Sequence, residues 1–142
     1  MSTTTVKKVA AADCVPNTRR GGDIRVVLGP ATVGATTGFL GRLTLEPGEY
    51  VTEHYHPYSE EYLYVVRGEI TVRVNGEPIT VHAGEGVLVP KNARHRVENH
   101  GSEASETVFH LCPLAPKPEL GHVDTEDVLE PGRPNVTVGG TT

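Results

Sequence analysis

An all-β domain is the fold class this sequence predicts, and three observations carry it. Sixteen glycines and eleven prolines cut the 142 residues into short segments. Those segments are rich in β-branched, aromatic and leucine side chains, and several alternate apolar with polar positions, the period of a half-buried strand. No stretch shows the 3.6-residue period of an amphipathic helix, and no repeat of fixed length is present. Short strands separated by turns every eight to ten residues or so mean a sandwich or a barrel.

In chain order, residues 1–22 read as a loosely structured arm: Ser2-Thr3-Thr4-Thr5, then Pro16, Asn17 and Gly21-Gly22. Within it, Val6 to Val9 is a candidate edge strand that can pair with another subunit. Ile24 to Leu28 is a strand closed by Gly29-Pro30. Val33 to Gly38 is a stretch of small residues. Phe39 to Leu45 follows as a half-buried strand, with Leu43 and Leu45 alternating against Arg42 and Thr44. Glu46-Pro47-Gly48-Glu49 has the Pro-Gly centre of a type II turn, and Tyr50 to His56 is a strand carrying two histidines. Tyr62 to Val66 and Ile70 to Val74 are strands. Asn75-Gly76 then signals a type I′ hairpin turn into a strand over Pro78 to His82. Val87 to Val89, His95 to Asn99 and Glu106 to Cys112 complete the set. From Pro113 on, five prolines and a closing Gly-Gly-Thr-Thr describe a tail, partly packed and frayed at its end. Asp124 to Leu129 is its one candidate helical turn. The division is therefore an arm (1–22), one domain (23–113) and a tail (114–142).

Composition excludes several function classes. The net charge is -5 with the signs mixed, so there is no basic face for nucleic acid. No apolar run approaches a membrane span. MSTTTVKK lacks the apolar core of a secretion signal, so a cytoplasmic protein is expected. Cys14 and Cys112 match no CxxC pattern and read as reduced thiols, packed as small apolar residues.

The chemistry lies in Gly48 to Gly68. His54 and His56 are two apart on a strand, so they face one side. The Pro57-Tyr58-Ser59 turn brings Glu61 back on the next strand. Two imidazoles and a carboxylate aimed at one point are costly to bury unless something pairs them, and a divalent cation is the natural partner. A second stretch, Gly84 to Asn99, carries a strand, a tight loop and a return strand. That reversal brings His95 to the same cavity. Asn92 sits in the loop where φ > 0 is needed, a conformation that Asn tolerates.

These two stretches resemble the two motifs of the cupin superfamily. Gly48, His54, His56, Glu61 and Gly68 match every position of G-x5-H-x-H-x(3,4)-E-x6-G. Gly84, Pro90, His95 and Asn99 match G-x5-P-x-G-x2-H-x3-N, with Asn92 in place of its Gly. The resemblance implies a jelly-roll barrel with His54, His56, Glu61 and His95 as metal ligands. HYHPYSEEYLYVVRG, VPKNARHRVEN and FHLCPLAPKPELGHVDT further resemble the small cupins of actinobacterial aromatic (type II) polyketide clusters, of tetracenomycin, spore-pigment and resistomycin type. That likeness spans nearly the whole chain. It implies a polyketide cyclase that promotes aldol cyclisation and aromatisation of a poly-β-ketone, with zinc as the metal. The substrate would be free or tethered to an acyl carrier protein, and the protein a homodimer. Ligand chemistry alone also admits iron, manganese or nickel. The alternatives are an iron-dependent oxygenase acting on an aromatic polyketide and a non-catalytic metal-binding accessory.

Several side chains keep two readings. His110, between Phe109 and Leu111, is either a core histidine or a group facing the metal as ligand or general base. Glu61 is a ligand or a base. Glu60 is its surface neighbour, one residue out of phase. Tyr62 and Tyr64 face away from Glu61 and read as outer packing. Tyr50 shares parity with His54 and can line the pocket. His82, His100 and His122, near turns or in the tail, are expected in solvent. Arg73 and Arg96 read as ordinary strand-face charges. The expected barrel walls are Leu43, Leu45, Leu63, Val65, Val72, Val89 and Val108.

Overall fold

The computed structural model describes residues 4–136, and the Ser2-Thr3 start and the Gly-Gly-Thr-Thr end lie outside them. The strands are β1 (Asp23–Leu28), β2 (Phe39–Leu45), β3 (Tyr50–Tyr55), β4 (Glu60–Arg67) and β5 (Glu69–Val74). They continue with β6 (Glu77–His82), β7 (Gly86–Val89), β8 (His95–Glu98), β9 (Ser105–Cys112) and β10 (Val123–Asp124). Two five-stranded sheets face each other, ordered β1-β2-β9-β4-β7 and β10-β3-β8-β5-β6. Every pairing is antiparallel. The chain changes sheet between β2 and β3, β3 and β4, and β4 and β5. This is a jelly roll, as the sequence implies.

Alternation builds the core between the sheets. In β2, Phe39, Leu43 and Leu45 point inward, and in β9 Ser105, Thr107, Phe109 and Leu111 do so. Leu63, Val65, Val72, Val89 and Val97 join them. Six of the seven expected walls are in this core; Val108 is the exception. It lies half-buried on the outer face, because Thr107 and Phe109 take the inward phase of β9.

The turns follow their chemistry. Glu49 N–H donates to Glu46 O at 3.0 Å, and Gly48 has φ 86°, closing the type II turn. Asn75 and Gly76 both have positive φ (50° and 86°), as type I′ requires. Asn92 has φ 65°.

Two local expectations fail, and one short element is an addition. Residues 4–10 form no strand, and Val6 is 89% exposed; the described part of the arm has a 3₁₀ turn, Ala11–Asp13, and an isolated bridge from Asn17 to Ile24. Ahead of the small-residue stretch, Pro30–Val33 is a single α-turn, started by Pro at its first position and stopped by Gly34 at φ 70°. Asp124 to Leu129 makes no helical turn. The edge of β3 offers free backbone groups, and β10 pairs with it instead (Val123 with Tyr55, Asp124 with His54).

Gly41 marks where the β1–β2–β9 packing leaves no room. A Cβ there would collide with the Arg25 carbonyl oxygen and the Phe109 ring. Gly41→Ala should lower stability by about 1–3 kcal/mol, the range for overpacking, read from the midpoint of urea denaturation at unchanged m-value.

Candidate metal centre

A β-bulge aims the first two histidines. Val51 pairs with Val97 and His54 with His95, so three steps on β3 face two on β8. Val51 and His54 therefore both point inward. The expectation for Tyr50 fails for this reason: counted through the bulge, its parity is reversed. Tyr50 lies outside with the Arg96 guanidinium 3.9 Å above its ring. His56 follows His54 into the interior as the chain leaves β3. His95 opens β8 with no exposed surface. Asn92 N–H donates to His56 O at 3.0 Å, which ties the second loop to the first.

The three rings pack with centroids 4.9, 4.5 and 5.1 Å apart. Each Nδ1 meets a backbone carbonyl: His54 with Thr52 at 2.7 Å, His95 with Ala93 at 3.0 Å, His56 with Gly121 at 2.9 Å. A carbonyl only accepts, so each Nδ1 carries the proton. In the neutral rings, the Nε2 atoms then hold the free lone pairs. Those of His56 and His95 are buried without a hydrogen-bond partner. One ligand atom from each ring can be chosen so that all lie within 4.8 Å of one another.

Glu61, buried on β4, stands beside this trio. Its Oε1 is 3.1 Å from His95 Nε2 and its Oε2 is 3.7 Å from His56 Nε2. The contact with His95 is an ion pair only when that ring is protonated; with a neutral ring the Nε2 lone pair faces the carboxylate oxygen, a gap that a cation would fill. Burial alone would raise the Glu61 carboxyl, but the His95 and His56 imidazoles outweigh it and hold its pKa below the ordinary value. Burial alone would lower His95, yet Glu61 raises it above 6.5. His54 is pushed well below 6.5, by burial first and then by the neighbouring imidazoles. Burial also lowers His56, against the pull of Glu61. Three imidazole nitrogens and a carboxylate, with two orphaned lone-pair positions, suit a divalent cation of nitrogen and oxygen preference.

Two other histidines are not where the sequence suggests. His110 is on the outer face of its sheet. It pairs across strands with Tyr62, the rings 5.8 Å apart, because Phe109 and Leu111 take the inward phase. It is not among the residues brought to the trio. His122, expected in solvent, is half-buried in the cavity wall, its ring 4.9 Å from that of His56. Its Nδ1 is buried and unpartnered. Burial, then His56 and Arg20, push its pKa well below 6.5. Nothing local in the sequence marks it, since its tail segment has no strand or helix period. His82 and His100 are exposed, beside Glu69 and Glu85, and Glu98, respectively. Arg73 and Arg96 do more than decorate a strand: both clasp the buried Glu98.

The tail is a wall of this site. Arg20, 2% exposed, lines the cavity. Its Nε and Nη2 donate to the Asp124 carboxylate at 2.7 and 3.1 Å, and Nη1 donates to Asn135 Oδ1 at 2.8 Å. The cavity measures about 60 Å³, and Phe39, Leu43, Leu63, Phe109 and Leu111 form its apolar side.

Residues 41–111 match the family model described as the cupin domain. The chain is a cupin. It is 50% identical over 133 residues to the tetracenomycin polyketide synthase protein TcmJ of Streptomyces glaucescens, across 94% of this cupin and 89% of the relative. It is 56% identical over 111 residues to the polyketide synthase CurC of Streptomyces cyaneus, across 78% and 72%. Among solved structures it resembles the polyketide cyclase RemF from Streptomyces resistomycificus (TM-score 0.69, 16% identity, 89% and 90% of the two chains). That likeness concerns the fold. No helix among the described residues is long and apolar enough to cross a membrane.

A metal held by the trio would compete with a proton for His95. Its pKa is raised, so competition sets in above pH 6.5 and strengthens as pH falls. Below the His95 pKa, metal affinity should drop about tenfold per pH unit for one displaced proton. Dialysis against a fixed chelator from pH 8 to pH 5, followed by metal analysis, reads this directly. His54→Ala should abolish stoichiometric metal at every pH.

Proposed function

We propose that this cupin is a metal-dependent polyketide cyclase. It promotes intramolecular aldol cyclisation and aromatisation of a poly-β-ketone, with zinc as the metal. The observation that carries the reading is the buried trio His54, His56 and His95, each Nδ1 tied to a carbonyl, facing a largely apolar cavity with one carboxylate. The names of its relatives TcmJ and CurC place those proteins in polyketide synthesis, which supports the substrate class.

His54, His56 and His95 would hold the cation, with Glu61 at its edge. When bound, it supplies Lewis acidity toward a ketone oxygen. Glu61, kept ionised by its imidazole neighbours, is the group placed to take an α-proton at its Oε2. The carbon so released attacks a second carbonyl of the same chain; a carbon–carbon bond forms, and loss of water then aromatises the ring. His122, neutral and with an unpartnered Nδ1 in the cavity wall, is placed to hydrogen-bond a keto or enol oxygen, and Glu61 returns the abstracted proton to the alkoxide that the new bond leaves. Phe39, Leu63, Phe109 and Leu111 exclude water and hold one folded conformer of the chain. His110 takes no part in this scheme, since it lies on the outer face.

One observation favours a second reading. Three nitrogens and one oxygen also suit a six-coordinate iron site, and so an oxygenase. A homodimer belongs to the same proposal, supported by Tyr62, Tyr64, Val66 and Leu88, which are about half exposed on the outer face of β4 and β7; light scattering tests it.

The deciding experiment incubates the protein with a minimal polyketide synthase in the absence of oxygen and compares products with and without it. A shift toward cyclised aromatic products at about one zinc per chain is expected. Glu61→Gln should slow that shift about 10²-fold or more, the usual weight of a general base, while His110→Ala leaves it near wild type. An unchanged product profile overturns the cyclase reading, and a requirement for oxygen with bound iron selects the oxygenase.

A further inference from the structure

The cavity at the imidazoles is too small for the substrate class just proposed. Its volume of about 60 Å³ is that of roughly two waters at about 30 Å³ each. Pockets that bury a ligand of moderate size run to about 300–1,000 Å³. The body of an extended poly-β-ketone must therefore rest elsewhere.

A cleft of about 540 Å³ lies next to it, and Ile24 and Val136 line both spaces. One wall is the N-terminal arm, with Val9, Cys14, Val15 and Pro16. The other is β1 with Val26 and the single α-turn with Ala31. Asn17 Nδ2 donates to Pro134 O at 3.0 Å, which joins arm and tail across its end. Val15, on this wall, is 88% exposed, an apolar side chain with little to pack on among the described residues. Asp13 and Asn135 also line it; the Asn135 amide Nδ2 can donate to a keto oxygen, and the Asp13 carboxylate can accept from a hydroxyl.

We propose that this cleft is the binding site for the body of the poly-β-ketone, and for its flat polyphenol product, with the reacting end reaching the imidazoles between Ile24 and Val136. The proposal rests on the cyclase reading for the chemical class of the ligand. It gives the arm a role that the jelly roll itself does not need.

Cys14 reports on the cleft. The chain has two cysteines, and both are free, so in Cys112→Ser protein Cys14 is the single thiol. Its alkylation by a small maleimide is timed with and without a planar dihydroxyanthraquinone, whose Kd comes from its own absorbance. At about ten times Kd the probe should slow labelling about tenfold by mass action. Ala31→Trp fills the cleft; it should remove the protection while metal content stays unchanged. An alkylation rate unmoved by the probe overturns the proposal, including the case in which another segment already shields Cys14. Protection that survives Ala31→Trp overturns it too. A product shift with Cys14 unprotected removes the cleft and leaves the cyclase reading standing. Protection with no product shift does the reverse.

Discussion

Three imidazoles buried against one another are the constraint that the rest of the structure serves. Desolvation and mutual repulsion forbid all three from carrying charge together. Each neutral ring must also place its one proton, and a carbonyl fixes where. Two of those carbonyls, Thr52 and Ala93, lie two residues before the histidine they hold. The third, Gly121, comes from the tail, 65 residues away from His56. The bulge in β3, the positive φ of Asn92 and the return of the tail all follow from that need. Each gives one ring its partner and its direction.

This dependence makes the tail part of the domain. β10 adds to the β3 edge, and Thr125 N–H donates to Glu53 O at 3.1 Å. Arg20 ties Asp124 and Asn135 to the arm from a nearly inaccessible position. A buried guanidinium left without its carboxylate costs about 3–5 kcal/mol, so the arm and the tail hold each other. His122 enters the cavity wall as a consequence, carried between Gly121, which binds His56, and Asp124, which binds Arg20.

The fold and half of the site were legible because both rest on short-range rules. Alternation places Leu43 and Leu45 inward, and the turn residues Gly48, Asn75 and Asn92 have the positive φ their chemistry anticipates. His54, His56, Glu61 and His95 could be read from spacing because a strand and a tight reversal between the sheets translate spacing into direction. Alternation also held the answer for His110 and Val108: the inward phase of β9 belongs to Thr107, Phe109 and Leu111. Tyr50 was not legible, since no residue announces the bulge that reverses its parity. Nor was His122, whose burial depends on a contact between chain ends that no local pattern encodes.

Glu61 shows how the site divides its work. A carboxylate held below its ordinary pKa is a weak base, which at first argues against proton abstraction. The chemistry of a β-diketone relaxes that demand. Its central protons are acidic, and a Lewis acid on the ketone oxygen makes them more so. What the reaction then lacks is geometry: one folded conformer and a base on the right side of it. A small apolar cavity with a single fixed carboxylate provides this, and a stronger, mobile base would remove protons without selecting the ring to be closed. The same reasoning explains why only the reacting end needs to enter so small a space. In the proposed cyclase, selectivity would be set where the chain is confined, and a cation held by the imidazoles would act on whichever carbonyl the walls deliver.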